Sequence, residues 1–413
     1  MYYHAISNSR FGRTSVDRFR GSNPSDFIYL VLADSLLSTH SEFGSDDDSY
    51  GLPVLRSCTK DSDFISITVT WWNGAYDTKT LIFEASRNLE IPDAIENTFL
   101  DDESMYENNS LLAMANIIKD DDVPYSITRL LFRTVQDKFQ VVEVADAHEI
   151  EPLAVPESLS HVQKAAIHDL KRVGSNSLST AVDLVSWQGH YYAFKQVEDE
   201  NYAGVVREIN ILDQLHASPH TVSLTAIAVR ENRVQGFLMP YFPRGNLTDV
   251  FNRLRTVRNV AEGIMTIPLS IKLAWAQQIA SGLADVHGIS AYNGDLTLEN
   301  VLLGDDGRIV LIDFNPVSLS SAFSAPELLQ EWDTDDSAPP SFTPAADVYS
   351  LGLVLWAMAH ETVQVDPNLP WHSSIPDWYK PIVKSCLSEN PEDRPSAAHV
   401  RSLLSEGLNT ENC

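Results

Sequence analysis

The alternation of apolar and polar positions changes period along the chain. Residues 64–72 (FISITVTWW) and 78–85 (TKTLIFEA) are rich in β-branched and aromatic residues. They flank Asn73, Gly74 and Asp77, so they predict a hairpin. Residues 126–144 (SITRLLFRTVQDKFQVVEV) predict a strand, a turn at Gln136 and Asp137, and a second strand. Between the two, residues 93–120 carry weaker helical signals, with an apolar patch at 111–118 ahead of Asp120, Asp121 and Asp122. Residues 38–50, with Asp46, Asp47 and Asp48, read as an acidic loop. Trp71, Trp72 and Tyr76 suit cross-strand packing better than a binding surface. The region 1–150 is thus expected to be a small α+β unit with acidic loops, and its pattern assigns it no function.

Residues 151–160 (EPLAVPESLS) hold two prolines and no period, which predicts a linker over 151–164. Strand patterns follow around 181–197 and 223–239, then amphipathic helices at 269–287, 347–359 and 397–404. Strands first and helices afterwards predict a small β-rich lobe followed by a helical lobe, a bilobal α+β domain over 165–408 with a tail at 409–413. Residues 257–266 and 330–344 read as insertions between elements.

With 413 residues the chain exceeds one average domain. Its formal charge of −28, from 57 acidic against 29 basic residues, argues against nucleic acid or an anionic membrane as partner and leaves room for a basic protein substrate or binding partner. Cys58, Cys386 and Cys413 are scattered, without the spacing of a disulfide framework or zinc site, which points to the cytoplasm or nucleus. Apolar runs fall short of a membrane helix, and no signal-peptide apolar region is expected. Residues 1–21 mix Arg10, Arg13, Arg18 and Arg20 with serines; they read as a flexible arm, with a mitochondrial presequence as the second reading. Oligomeric state is not encoded in these patterns.

Phosphoryl transfer needs phosphate charge neutralised, a metal held, and an acceptor hydroxyl aligned beside a carboxylate. The C-terminal part presents such residues in one order. Tyr192-Ala193-Phe194-Lys195 lies in a strand pattern, Arg207-Glu208-Ile209 at a helix start, and Asp295 and Asn300 within YNGDLTLENVLL (292–303). Asp313 then ends the apolar strand of VLIDFN (310–315). From about residue 170 to 404 these segments resemble the eukaryotic-type protein kinase family. The resemblance implies ATP and Mg as cofactors, with Lys195 and Glu208 as the pair that steers lysine onto phosphates. It further implies Asp295 as catalytic base and Asn300 and Asp313 as metal ligands. Gly236-Phe237-Leu238-Met239-Pro240-Tyr241-Phe242 resembles the strand and hinge against which adenine stacks, with Met239 as gatekeeper and the backbone of Pro240 and Phe242 facing the base.

Three segments away from the chemistry strengthen the likeness: Ala325-Pro326-Glu327, Asp347-Val348-Tyr349-Ser350-Leu351-Gly352, and Asn390-Pro391-Glu392-Asp393-Arg394-Pro395. They imply a structural Glu327–Arg394 ion pair. Asn293-Gly294-Asp295 is also similar to the motif of aminoglycoside- and choline-kinase-like enzymes, which generally lack those three segments, so a small-molecule kinase is the minor alternative.

Other positions depart from the family. Gly174 is the first of three glycines expected in the phosphate loop, with Asn176 and Ser179 at the next two, which implies a looser grip on nucleotide. Asn293-Gly294 replaces the usual His-Arg, and the segment from Asp313 to Glu327 is short, so switching by loop phosphorylation is not expected. Thr297 stands where serine/threonine kinases place a lysine, Asn315 replaces a glycine, and Ser320 matches the small hydroxyl associated with Ser/Thr specificity. The leading expectation is phosphoryl transfer to Ser/Thr of a protein; the alternative is a pseudokinase acting as a binding or scaffolding module.

Overall fold

The computed structural model describes residues 54–411 except 61–62, 74–76, 93, 95–96, 98–99, 101–127, 136–137, 147–153, 174–177, 180, 198–201, 261–266, 315–321 and 335–339. The acidic loop at 38–50, the arm at 1–21 and the weakly helical 101–120 lie outside the described residues.

The first sheet contains β1 (Val54–Lys60), β2 (Phe64–Asn73), β3 (Asp77–Ser86), β4 (Thr128–Val135) and β5 (Lys138–Asp146), in that spatial order. β2 and β3 pair antiparallel down to Asn73 opposite Asp77, as a tight hairpin requires. β4 and β5 pair antiparallel from Val135 opposite Lys138. β3 and β4 instead run parallel, which demands a crossover between them. After β3, Asn88 donates its backbone amide to Asn97 Oδ1 at 2.7 Å and its side-chain amide to the carbonyl of Thr134 at 3.4 Å. Asn97 Nδ2 donates in turn to the carbonyl of Asn88 at 2.9 Å. These buried amides are fully engaged, so the chain leaving β3 is fastened to β4.

The second sheet contains β6 (Lys164–Ala166), β7 (Lys171–Arg172), β8 (Val182–Trp187), β9 (His190–Gln196), β10 (Ala226–Arg230) and β11 (Arg233–Pro240), ordered β6-β10-β11-β9-β8-β7. All pairs are antiparallel except β6 with β10. The linker expected over 151–164 is corrected here. Ala154 bridges to Arg233, Leu159 is 1% exposed, and Lys164 Nζ donates to the carbonyls of Leu159, Ser160 and Val162 at 2.7, 2.8 and 2.6 Å. Pro156 directly precedes a short 3-10 segment, Glu157–Leu159, rather than marking free chain.

Helix α1 (Tyr202–Gln214) packs beside this sheet through buried Val205, Ile209 and Leu212. Glu208 therefore lies near the middle of its helix, not at its start. Then come α2 (Leu247–Val260), α3 (Leu269–Gly288), the β12 (Val301–Leu303) and β13 (Ile309–Leu311) hairpin, α4 (Pro326–Thr334), α5 (Pro344–His360), α6 (Tyr379–Cys386) and α7 (Ala397–Glu411). α2 and α4 extend into the segments taken as insertions, and α7 runs through most of the expected tail.

α3 and α5 form the centre of the helical part. α5 is apolar nearly all round, the signature of a buried helix, and Thr343 caps it by accepting the amide of Ala346 at 3.1 Å. At Gly352 a Cβ would stand 2.8 Å from Cys386 Cβ, so the missing side chain lets α6 pack directly on α5. Arg394 grips Glu327 with Nη1 and Nη2 at 2.6 and 2.8 Å, the bidentate geometry of a strong ion pair.

Candidate active site

Lys195 projects from β9, whose neighbour β11 places Phe237 opposite it. The side chain is 9% exposed, and Nζ lies 2.8 Å from Glu208 Oε2 on α1 and 2.8 Å from Asp313 Oδ1 after β13. Burial opposes its charge, but the two carboxylates outweigh burial and hold the ammonium above its ordinary pKa. Glu208 is fully buried; burial pushes its carboxyl up, against the pull of Lys195, and its other oxygen accepts the amide of Phe314 at 3.1 Å. One cation thus joins strand, helix and the segment after β13.

The loop before β12 is arranged around Asn293 and Asp347. Asp347, at the buried start of α5, accepts the backbone amides of Asn293 and Gly294, each at 2.8 Å, and the Nε2–H of His287 at 2.9 Å. Asn293 donates Nδ2 to the carbonyl of Asp313 at 3.1 Å and accepts the amide of Asp295 at 3.1 Å. Gly294 sits at φ +82°, a left-handed conformation that glycine adopts without Cβ strain. Asp313 adopts φ +59°, a strained conformation for a residue with a side chain, held by its contacts on both sides.

Asn300 donates Nδ2 to the backbone carbonyl and to Oδ2 of Asp295, both at 2.8 Å. With its amino group spent there, its amide oxygen is the atom left for a cation. Burial, then the charge of Asp313, pushes the Asp295 carboxyl up to about 7, with the Asn300 hydrogen bond pulling the other way. Thr297 is buried and reaches the amide of Asn300 at 3.4 Å.

Met239, buried near the end of β11, pairs with Ala193; Pro240, the last residue of that strand, pairs with Tyr192, and the half-buried Phe242 follows. The structure therefore brings Lys195, Glu208, Asp313, Asp295 and Asn300 to one place, with Met239 one strand away from Lys195. Gly174, Asn176, Asn315 and Ser320 lie outside the described residues, and Ser179 makes an isolated bridge with Val182. The sequence reading gave no role to His287 or to the side chain of Arg207, which reaches from α1 to the ring of Tyr292. Only the position of Arg207 next to Glu208 hinted at it.

A strand-borne lysine paired to a helical glutamate, beside a loop carrying Asp and Asn, defines a phosphotransferase site of the protein kinase class. The family model described as protein kinase domain matches residues 167–403, and the chain belongs to the eukaryotic-type protein kinase family. It is 28% identical over 281 residues to rat serine/threonine-protein kinase 16, across 57% of this chain and 88% of that protein. The human protein of the same name is 28% identical over 283 residues, with the same coverage. Serine/threonine/tyrosine-protein kinase HT1 of Arabidopsis thaliana is 24% identical over 224 residues, 48% of this chain and 53% of that protein.

Proposed function

We propose that this chain is an ATP- and Mg-dependent serine/threonine protein kinase. The observation that carries the reading is the closed Lys195–Glu208 pair, made at 2.8 Å with Asp313 on the same ammonium. Lys195 is held charged where nucleotide phosphates would lie, and Glu208 fixes its position from a rigid helix. The donors suit magnesium: Asp313 offers a carboxylate and Asn300 an amide oxygen, both hard ligands. Among the described residues no group of three or more His, Cys, Asp or Glu could hold a metal alone, so phosphate oxygens and water would complete the shell, as magnesium prefers. Bound there, the cation supplies positive charge against the phosphate oxygens.

Asp295 is the group placed to take the proton of an incoming hydroxyl. A carboxyl pushed up to about 7 suits proton transfer near neutral pH. As the acceptor oxygen bonds to the γ-phosphorus, the bond to the β-phosphate oxygen breaks, ADP leaves, and the hydroxyl proton passes to Asp295. Exposed Glu299 beside it, in a chain of net charge −28, suits a substrate segment rich in Lys and Arg. A labelled γ-phosphate transfer assay on a basic protein, with Asp295→Asn as control, tests this: equal signal from both proteins would overturn it.

The second reading, a nucleotide-binding module without turnover, is favoured by Thr297, a buried neutral side chain where a phosphate-touching lysine stands in relatives of the family. It expects a thermal shift with ATP and Mg and no phosphate transfer.

A further inference from the structure

Arg207 and Glu208 are neighbours on α1, and together they hold both polar groups of one peptide residue. Glu208 accepts the amide of Phe314 at 3.1 Å, while Arg207 Nη1 donates to the carbonyl of Phe314. The second arm of the same guanidinium, Nη2, donates to the carbonyl of Tyr292 at 3.2 Å, and its carbon lies 4.2 Å from the centre of the Tyr292 ring. That distance places a cation over an aromatic face, an attractive arrangement that strengthens where water is excluded. Tyr292 in turn stacks on Phe342, with centroids 5.8 Å apart and planes 22° from parallel. Phe342 immediately precedes Thr343, the cap of α5, and α5 supplies Asp347 to the loop that follows Tyr292.

We propose that Arg207 is a positioning residue that latches α1 onto the loop bearing Asp295, so that the Lys195–Glu208 pair closes without any modification of the chain between Asp313 and Glu327. The inference rests on the kinase reading for its consequence in catalysis, but the latch itself is a matter of helix placement. Gly294 offers no cation from the loop side, and Arg207 supplies one from the helix side. Two hydrogen bonds and a ring contact from one planar guanidinium fix direction as well as distance, which a lysine ammonium at that point could not do.

The test is hydrogen exchange on the full-length protein, read at amides 203–214 of α1, with α3 as internal reference. Arg207→Met is expected to speed exchange of α1 by at least about tenfold while α3 stays protected. Phosphate transfer in the same variant is expected to show a raised KM for ATP together with a lowered kcat, because a swung helix misplaces Lys195. Arg207→Lys, which keeps charge but loses the fork, should fall between. Tyr292→Phe keeps the ring and should preserve α1 protection; Tyr292→Leu should lose it, and this pair decides the matter if Arg207→Met does not fold. Unchanged α1 exchange in Arg207→Met, or equal exchange in the two Tyr292 variants, overturns the proposal. If the wild-type protein transfers no phosphate, the kinase reading fails, and the exchange measurement still decides the latch.

Discussion

Asn293 donates its side-chain amide to the backbone carbonyl of Asp313 over 3.1 Å, joining the loop that carries Asp295 to the segment after β13. The same side chain accepts the amide of Asp295 at 3.1 Å. A neutral amide thus ties together the backbones of both acidic residues, and since asparagine does not titrate, this scaffold keeps its form across the pH range in which Asp295 changes charge.

Asp295→Asn is expected to lower kcat by roughly 10²–10⁴-fold, the usual worth of a positioned general base. Its effect on stability has the opposite sign. The carboxyl is pushed up to about 7, so between the ordinary carboxylate value and neutrality the unfolded chain loses a proton that the folded chain keeps. Folding stability through this group is therefore full in acid and declines as pH rises toward 7. In metal-free buffer the Tm of Asp295→Asn relative to wild type should be higher at pH 8 than at pH 5; a difference that does not change with pH would refute the assignment.

Lys195→Met leaves the fully buried Glu208 without its cation, and is expected to cost about 3–5 kcal/mol, the penalty for stranding one member of a buried pair. Adding Glu208→Gln removes the stranded charge and still leaves an oxygen for the amide of Phe314. Urea unfolding of the double variant should recover part of the loss. Simple additivity of the two single costs would mean the pair is not coupled.

Glu327→Gln tests the bidentate ion pair with Arg394. Burial works against the charge of Glu327, but the Arg394 hydrogen bonds, its own backbone amide and the guanidinium charge together hold the carboxyl below its ordinary value. A depressed carboxyl contributes stability above its unfolded pKa, and that contribution is lost as pH falls through the folded value. Wild type should thus exceed the variant by about 1–3 kcal/mol at pH 7, less than a fully buried pair because Glu327 is 28% exposed, and by little once pH has fallen below the depressed folded value. Urea titrations at pH 7 and below that value read this directly.

Gly236→Ala places a Cβ 2.2 Å from the carbonyl oxygen of Lys195 and 2.7 Å from Phe194 Cε2, at a backbone φ of +147°. Backbone on one side cannot yield as a side chain tip would, so β9 and β11 must separate. A loss of about 2–4 kcal/mol is expected, with weaker ATP binding because Lys195 moves with its strand. Calorimetric titration with a non-hydrolysable ATP analogue checks the second effect; unaltered affinity would show that Lys195 does not follow the strand.

The hairpins were legible in the sequence because strict alternation and turn residues, Asn73 and Gly74 above all, are local signals. The residues that meet at the candidate site, Lys195, Glu208, Asp295, Asn300 and Asp313, stood out in the sequence because they follow one another in the order that the family resemblance requires. What the sequence hid was long-range. β1 (VLRSCTK) lacks clean alternation and carries a register shift between Leu55 and Ser57, and the parallel pairing of β3 with β4 has no local signature. Arg207 meets Tyr292 and Phe314 across 85 and 107 positions, and His287 meets Asp347 across 60. Such contacts emerge only once the chain is folded. Leu159 misled for a different reason: two prolines in the sequence signalled loose chain, although Leu159 itself is buried in a short 3-10 segment.

Strand β6, three residues long, is the outer neighbour of β10 at one margin of the second sheet. A truncated chain begun at residue 167 would remove β6 and Leu159 together, baring a row of unpaired backbone groups beside an opened apolar patch. Uncovered strand margins recruit other strands, so such a fragment should self-associate more strongly than the intact protein. The few residues ahead of the family match thus act as a guard on solubility, and a shortened protein made for biophysical work should begin before Ala154.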